Sequence, residues 1–197
     1  MPATADSLLP GLPDPVFDSQ RAFRAALAAL ARPGSIHSID IALDPPPPLA
    51  PAAAALLLAL ADFETPLWLQ STDAAPAQYL RFHCGSPLVS DTSAARLAFV
   101  HDAGTMPPLA AFNQGEIDYP DRSTTLIVQV RSLAGGAGKT LHGPGIRGSA
   151  ALTAEGLPAR FWDEWRGNAA LFPRGVDVIL VAASRIAGLP RTTQLED

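Results

Sequence analysis

The run Val176–Val181, Val-Asp-Val-Ile-Leu-Val, is the feature that most restricts how this chain can fold. A strand with one solvated face alternates apolar and polar residues, whereas this segment is nearly continuous in its apolar character. Such a run predicts a strand buried on both faces, as in the parallel sheets of α/β proteins. A second apolar run, Thr124–Val130, is predicted to be another strand.

Helical segments alternate with strands along the chain. Phe23, Leu27 and Leu30 recur at i, i+4 and i+7, which predicts an amphipathic helix with these side chains on one face. Pro33-Gly34 ends that helix, because neither residue continues a helix well. Further helices are predicted over Leu49–Phe63 and Arg160–Leu171.

Short strands are predicted between these helices. They cover residues 35–43, 66–69, 79–83, 96–100 and 186–193, the last as an extended edge segment. Helices and strands alternate without repeats or a clear linker, which favours a mixed α/β architecture. We therefore predict a single α/β domain with a mixed sheet over residues 16–197, after a proline-rich N-terminal arm of residues 1–15.

The segment Gly135–Thr140, GGAGKT, resembles the end of a phosphate-binding loop, G-x-x-x-x-G-K-[ST]. That loop needs a glycine where this chain has Leu133, and it must open a helix whose N-terminus binds the phosphates. Residues 141–145, Leu-His-Gly-Pro-Gly, would break a helix within one turn. The segment is therefore predicted to be the tip of a β-hairpin, and nucleotide binding there is not expected.

Charge and apolar patterning exclude several classes of partner. The net charge is −5 and no stretch concentrates basic residues, so we expect no nucleic-acid partner. The longest apolar run, Ala52–Ala61, is about half a membrane span, so we expect no membrane partner. The N-terminus lacks the charged and apolar regions of a signal peptide, and Cys84 is the single cysteine. We expect a cytoplasmic protein.

No cofactor or metal site is predicted. Lys139 is the single lysine, and a glycine-rich turn is an unsuitable place for the enclosed Schiff-base lysine that pyridoxal phosphate (PLP) needs. The four histidines are widely spaced and show no metal-ligand pattern. His83 and Cys84 are adjacent on a predicted strand and would point to opposite faces, so they are not expected to form a base–thiol couple.

A few polar residues remain as weak candidates for a site. Asp177 begins an apolar strand and needs a partner, for which Arg174 and Arg191 are available. The segment Arg191-Thr192-Thr193 offers a guanidinium and two hydroxyls, which could hold an anion or could seal an interface. His83 is expected to be packed or hydrogen-bonded, with a catalytic role as the alternative. No catalytic residue is assigned.

Seven stretches, taken in order, carry a family resemblance: PVFDSQRAFRAALAALARPG (15–34), LALADFETPLWL (58–69), LRFHCGSPLV (80–89), TTLIVQV (124–130), LHGPGI (141–146), LFPRGVDVILV (171–181) and RIAGLPRTTQLE (185–196). The ordered set, ending in GLPRTT, resembles the PhnH family, the H subunits of the bacterial carbon–phosphorus lyase system for phosphonate use. The resemblance covers nearly the whole chain.

The resemblance implies a fold like that of PLP-dependent transferases of the aspartate aminotransferase type, reduced and without the cofactor. It also implies a homodimer that works in a core complex with the G, I and J subunits. In that complex the I subunit, helped by G and H, attaches a phosphonate to the ribose of ATP in place of adenine. No chemistry is assigned to the H subunit itself, so no catalytic residues are carried over.

Two hypotheses about function remain open at this stage. In the first, the chain is a non-catalytic subunit of the phosphonate-activating complex. In the second, it is a stand-alone enzyme or binding protein for an anionic phosphorus-containing metabolite, acting through Arg191, Thr192, Thr193 and His83.

The assignment of Lys139 to a solvated position can be tested directly. Replacing it with alanine (Lys139→Ala) removes one solvated charge, so we expect folding and assembly with partner subunits to be unchanged. Thermal unfolding and co-purification would measure both properties. A loss of either one would contradict the assignment.

Overall fold

The structure is a computed structural model that describes residues 8–71 and 73–196, with only the backbone of residues 136 and 137. Within these residues the helices are α1 Pro15–Ala31, α2 Pro51–Leu60, α3 Ala74–Cys84 and α4 Phe161–Ala170. The strands are β1 Ile36–Ser38, β2 Leu67–Leu69, β3 Leu88–Val89, β4 Leu97–Val100, β5 Thr125–Gln129, β6 Ser132–His142, β7 Ala150–Glu155, β8 Asp177–Ala182, β9 Arg185–Leu189 and β10 Gln194–Leu195.

The described strands form two sheets. The larger sheet has seven strands in the order β1-β9-β8-β5-β4-β2-β3, and β8, β5, β4, β2 and β3 run parallel. Strand β9 is antiparallel to both of its neighbours. The smaller sheet is antiparallel, in the order β10-β6-β7. The predicted α/β class with a mixed sheet is thus confirmed.

Strand β8 is buried on both faces, as its apolar run predicts. Ile179 and Val181 pack into a core cluster that includes α1, α2 and α3. Val178 and Leu180 point the other way, into a second cluster with α4, β6 and β7. The seven-stranded sheet therefore lies between a layer of helices and a layer that combines α4 with the small sheet.

Helix α1 packs through its alanines. Ala22, Ala26 and Ala29 are buried, while Phe23 is 51% exposed and Leu27 is 57% exposed. An amphipathic helix is expected to bury its large apolar side chains, so the face marked by the sequence is in fact the outer one.

The alanine face is used because α1 lies very close to β9. A Cβ atom at Gly188 of β9 would lie only 2.5 Å from the backbone carbon of Ala29. Small residues on both elements permit this approach, and a leucine or phenylalanine would not fit between them. Phe23 and Leu27 therefore remain exposed, whereas Leu30 is partly buried against the core.

The segment Tyr79–His83 was predicted as a strand, and that prediction is wrong. These residues lie within α3, which ends at Gly85 in the left-handed conformation with φ +67°. Glycine at this position is a common helix C-terminal signal. The five residues are too short a window to distinguish a strand from a buried helical turn by periodicity.

The predicted hairpin tip at Gly135–Thr140 is also wrong. Strand β6 runs through this segment and pairs with β7, with a shift in register between Ala134 and Lys139. Gly138 allows the strands to approach at that irregularity, because a Cβ there would lie 2.1 Å from the Leu152 carbonyl oxygen. The segment continues as a strand to His142, so it does not open a helix as a phosphate-binding loop must.

The C-terminal segment is not an edge, in contrast to its prediction. Strand β9, which forms most of this segment, lies between β1 and β8, and the edge strand β10 begins only at Gln194. Of the predicted N-terminal arm, residues 1–7 lie outside the described residues. The Leu9 carbonyl oxygen lies 3.0 Å from His83 Nε2. The Pro10 carbonyl oxygen accepts a hydrogen bond from the Tyr79 hydroxyl at 3.1 Å. The division into arm and single domain stays a prediction.

Among the described helices, none combines the length and apolar character needed to cross a bilayer.

The close contact between α1 and β9 gives a stability prediction. The variant Gly188→Ala adds a methyl group that would clash with the α1 backbone, so we expect a loss of about 1–3 kcal/mol in the free energy of unfolding. Chemical denaturation would measure it.

Gly167→Ala is a matched control for this variant. Gly167 lies in α4, and a Cβ there would have no neighbour within 4 Å among the described residues. Its stability should be unchanged or raised by up to about 1 kcal/mol, because alanine favours a helix. Equal effects of the two substitutions would show that α1 does not depend on the small residue at position 188.

Candidate functional site

A cavity of about 450 Å³ lies at the carboxyl ends of the parallel strands β4 and β5. Its walls are the turn after β4, the end of β5 and the turn after β7, and they include His101, Asp102, Gln129, Arg131 and Gly156. In open α/β sheets this end of the strands is where ligands bind, at the point where successive connections leave in opposite directions. Here that point lies between β2 and β4, since β2 is followed by β3 on one side and β4 by β5 on the other.

Gln70 closes the space between β2 and β4. Its side-chain oxygen accepts a hydrogen bond from the Asp102 amide at 2.9 Å, and its side-chain nitrogen donates to the Asp102 carbonyl at 3.0 Å. The same nitrogen lies 3.1 Å from the Thr105 hydroxyl oxygen. This pairing holds the turn after β4 in place beside the open cavity.

Gln129 supports the cavity from β5. Its amide oxygen accepts a hydrogen bond from Ala50 N at 2.6 Å, and its amide nitrogen donates to Pro48 O at 3.0 Å. These bonds tie the four-proline segment, which carries no helix or strand, to the central sheet. Gln129 is therefore a positioning residue whose polar atoms already have partners.

His101 and Arg131 differ from Gln129 in this respect. His101 Nδ1 is shielded from solvent and has no hydrogen-bond partner among the described residues. Arg131 is exposed at the cavity, and no described residue forms an ion pair or side-chain hydrogen bond with its guanidinium. Neither residue is among the site candidates that the sequence suggests. Their position directly after two apolar strands of an α/β chain is the signal that could have identified them.

Asp177 and Arg191, two of the candidate residues, are joined by an ion pair. The Asp177 carboxylate accepts hydrogen bonds from Arg191 Nη2 at 2.5 Å, Nε at 3.2 Å and the backbone nitrogen at 2.7 Å. Both side chains are mostly buried, with exposed fractions of 20% and 14%. The ion pair between Asp177 and Arg191 that the sequence suggested is confirmed, and the structure shows none between Asp177 and Arg174 among the described residues.

The remaining donors of Arg191 are also occupied. Nη1 donates to the carbonyl oxygens of Pro120 at 2.8 Å and Pro173 at 3.3 Å, and Nη2 donates to the Ser123 hydroxyl at 2.6 Å. A guanidinium has five N–H donors, so all of them have protein partners. An anion could bind here only by displacing bonds that hold the C-terminal segment, which favours a structural role for Arg191.

The two threonines that follow Arg191 have different environments. Thr192 is half-buried and lines a shallow depression with Asp177 and Arg191. Thr193 is buried, and its carbonyl oxygen accepts a hydrogen bond from Trp165 Nε1 at 2.9 Å. The Thr193 hydroxyl has no partner among the described residues. The segment thus closes the core against α4.

His83 lies apart from this group. It belongs to α3, where its ring packs edge-on against Tyr79 and Phe82 and its Nε2 lies 3.0 Å from the Leu9 carbonyl oxygen. It is not among the residues that line the depression beside Arg191. Its contacts are those of the packed, hydrogen-bonded histidine that the sequence favoured.

Cys84 is adjacent to His83 on the helix rather than on a strand, so the argument from opposite strand faces does not apply. Burial raises the pKa of its thiol to about 11, and the negative charge of Asp62 adds to the rise. A reactive cysteine requires a lowered pKa, so this thiol is not activated as a nucleophile.

Lys139 does not fit a cofactor site. It is exposed on β6 of the small sheet and is not among the residues that line the cavity. A Schiff-base lysine needs an enclosed pocket, which this position does not provide. The residues that the structure describes also contain no group of three or more acidic, histidine or cysteine side chains placed to hold a metal ion.

Comparison with known proteins gives consistent matches over most of the chain. A family model described as bacterial phosphonate metabolism protein (PhnH) matches residues 10–196. The chain is 41% identical over 186 residues to the alpha-D-ribose 1-methylphosphonate 5-triphosphate synthase subunit PhnH of Rhizobium meliloti (strain 1021), covering 93% of this chain and 92% of that protein. It is 34% identical over 84 residues to the putative C-P lyase subunit protein HtxG of Stutzerimonas stutzeri, covering 41% and 42% of the two chains.

The structural role of Arg191 can be separated from anion binding. Arg191→Ala leaves the mostly buried Asp177 carboxylate without its cation, so we expect the free energy of unfolding to fall by roughly 2–4 kcal/mol. Asp163→Ala, which removes the more exposed partner of the surface pair with Arg166, is the control and should cost less than about 1 kcal/mol.

Denaturation of both variants, with binding of methylphosphonate measured on the same samples, would check this. Unchanged stability together with a large change in binding for Arg191→Ala would contradict the structural role.

Proposed function

The chain belongs to the PhnH family of bacterial phosphonate-metabolism proteins, and we propose that it is a subunit of a carbon–phosphorus lyase complex. The observation that carries the proposal is the 41% identity to a synthase subunit over 93% of this chain. A match that extends over nearly the full length of both proteins supports a shared role for the whole chain, and not only for one motif.

The proposed reaction is the one that the relative's name describes, synthesis of a ribose 1-phosphonate 5-triphosphate. A phosphonate is transferred to the ribose C1 of ATP and adenine is released. We propose that this chain supports the reaction without supplying catalytic residues. In support, Asp177 and Arg191 are fully engaged with each other and their neighbours, and the Cys84 thiol has a raised pKa.

The proposed partners are a second copy of the chain and the G, I and J subunits. Support comes from the outer face of α1, where Val16, Phe23 and Leu27 fall in one stripe and are all exposed. Large apolar side chains grouped on one surface are typical of a surface that another protein covers. A cavity of about 280 Å³ beside Phe23 and Leu27 extends this apolar surface towards the sheet.

A cytoplasmic location and a cofactor-free relative of the PLP-dependent transferase fold are part of the same proposal. The location is supported by the substrate ATP and by a single cysteine that cannot form an internal disulfide. The fold is supported by the five parallel strands with an antiparallel neighbour, and by a lysine that lies on the other sheet.

Co-purification from the native cell tests the subunit role. A tagged chain expressed at its natural level should recover the G, I and J subunits in fixed proportion, identified by mass spectrometry. The proposal would be overturned by recovery only as a free protein that turns over a phosphonate or a nucleotide by itself.

The role of the α1 surface needs a separate variant. Phe23→Glu combined with Leu27→Glu places two charges in the apolar stripe, so we expect weaker self-association or loss of partner subunits without unfolding. Ile117→Glu is the matched control, because Ile117 is exposed but lies outside α1. Light scattering and co-purification would measure the effect, and unchanged assembly in both assays would remove α1 from the interface.

A further inference from the structure

We propose that the cavity at the carboxyl ends of β4 and β5 binds a phosphorus oxyanion, the phosphoryl or phosphonyl group of a small metabolite, with Arg131 as its main cationic contact. The geometry of the cavity supports an anion site. The choice of a phosphorus oxyanion over a carboxylate rests on the proposed function in phosphonate metabolism, since a guanidinium fork can bind either group.

The location favours a ligand site. The cavity lies beside the point where the connections of the parallel sheet diverge, and it is formed by turns that the central strands hold in place. Its volume of about 450 Å³ lies within the range for small-molecule sites, roughly 300–1,000 Å³. Turns anchored on a rigid sheet can keep polar groups in fixed positions before a ligand arrives.

Arg131 is held so that its side chain reaches the cavity. Its backbone nitrogen donates to the Glu155 carbonyl oxygen at 2.8 Å, which fixes the chain at that point. The side chain crosses Gly156, where a Cβ atom would lie 3.4 Å from Arg131 Cγ and 3.7 Å from Nε. Gly156 has φ +103°, a conformation that other residues rarely adopt, so the turn requires glycine here. The missing side chain also leaves room for the Arg131 side chain to pass.

The carboxylate of Asp102 also lines the cavity. Its Oδ1 accepts a hydrogen bond from Gly104 N at 3.0 Å, and its Oδ2 accepts one from the Thr105 hydroxyl at 2.9 Å. Asp102 therefore caps its own turn, and the described residues include no ion pair between it and Arg131. The guanidinium remains available to an anion.

His101 provides a second polar group. The ring lines the cavity, and its Nδ1 is removed from solvent without a partner in the described part of the chain. Buried polar atoms in proteins are nearly always paired, so this ring has hydrogen-bonding capacity that the protein does not use. Because Nδ1 is shielded from the cavity as well, the ring would have to turn before this nitrogen could contact a bound oxyanion.

This site differs from the one suggested by the sequence. The guanidinium of Arg191 has protein partners for every N–H, whereas that of Arg131 has none among the described residues. An anion at Arg131 would therefore break no hydrogen bond between described residues. The two arginines show how one residue type can be structural in one place and available for binding in another.

Isothermal titration of the full-length protein with methylphosphonate and with tripolyphosphate tests the proposal. We expect saturable binding of at least one probe, with the dissociation constant raised about 10- to 100-fold in Arg131→Ala because a charge-assisted contact is lost. Arg131→Lys should recover only part of the affinity, since an ammonium lacks the planar fork. His101→Asn should also weaken binding.

Arg147→Ala is the matched control, because Arg147 is exposed and does not line the cavity. Binding that is lost in Arg131→Ala and kept in Arg147→Ala supports the site. The proposal is overturned if neither probe binds, if both arginine variants bind like the unaltered protein, or if both lose affinity equally, which would indicate non-specific charge attraction. Thermal unfolding of each variant confirms that affinity is compared between folded proteins.

The result can be distinguished from failure of the proposed function. Arg131→Ala should still co-purify with the other subunits, because Arg131 is not part of the α1 surface. If the unaltered protein assembles but binds neither probe, the site fails and the subunit role stands. If it binds a probe through Arg131 but recovers no partner subunits, the site stands and the subunit role fails.

Discussion

The burial of β8 on both faces governs the architecture of this chain. Ile179 and Val181 require an apolar layer on one side of the sheet, and Val178 and Leu180 require another on the opposite side. Helices α1, α2 and α3 provide the first layer, while α4 and the small sheet provide the second. The pairing of β8 with parallel β5 and antiparallel β9 then sets the mixed character of the large sheet.

The first of these layers determines what the surface presents. Because α1 approaches β9 at Gly188, only its alanines fit against the sheet, and Phe23 and Leu27 are left outside. The apolar surface that supports our proposal of partner subunits is thus a consequence of close packing on the other side of the same helix. A pattern that predicts core packing in an isolated chain here marks a candidate interface.

At the carboxyl ends of the parallel strands, some polar side chains have hydrogen-bond partners within the described residues and others do not. The side chains of Gln70 and Asp102 form hydrogen bonds that hold the turn after β4, and that of Gln129 holds the four-proline segment. In the same way, the ion pair between Asp177 and Arg191 holds the C-terminal segment. Arg131 and His101 retain unused hydrogen-bonding capacity in the described structure. We infer that the cavity between them is a ligand site, because hydrogen bonds hold its surrounding turns in place while these two lining side chains have groups without a partner among the described residues.

The sequence alone determined the α/β class, the doubly buried strand at Val176–Val181 and the helix predicted over Arg160–Leu171, since these depend on local apolar patterns. It also determined the pair between Asp177 and an arginine, because an unpaired buried charge is costly. Family membership was also accessible from the ordered stretches of sequence. Tertiary structure decided the rest: which face of α1 is buried, that Tyr79–His83 is helical, that the glycine-rich segment lies within β6, and that Arg131 rather than Arg191 is free. At Tyr79–His83 the window was too short for periodicity to distinguish a helix from a strand. The other three depend on the distance and the partners offered by residues remote in the sequence, which neither periodicity nor spacing carries.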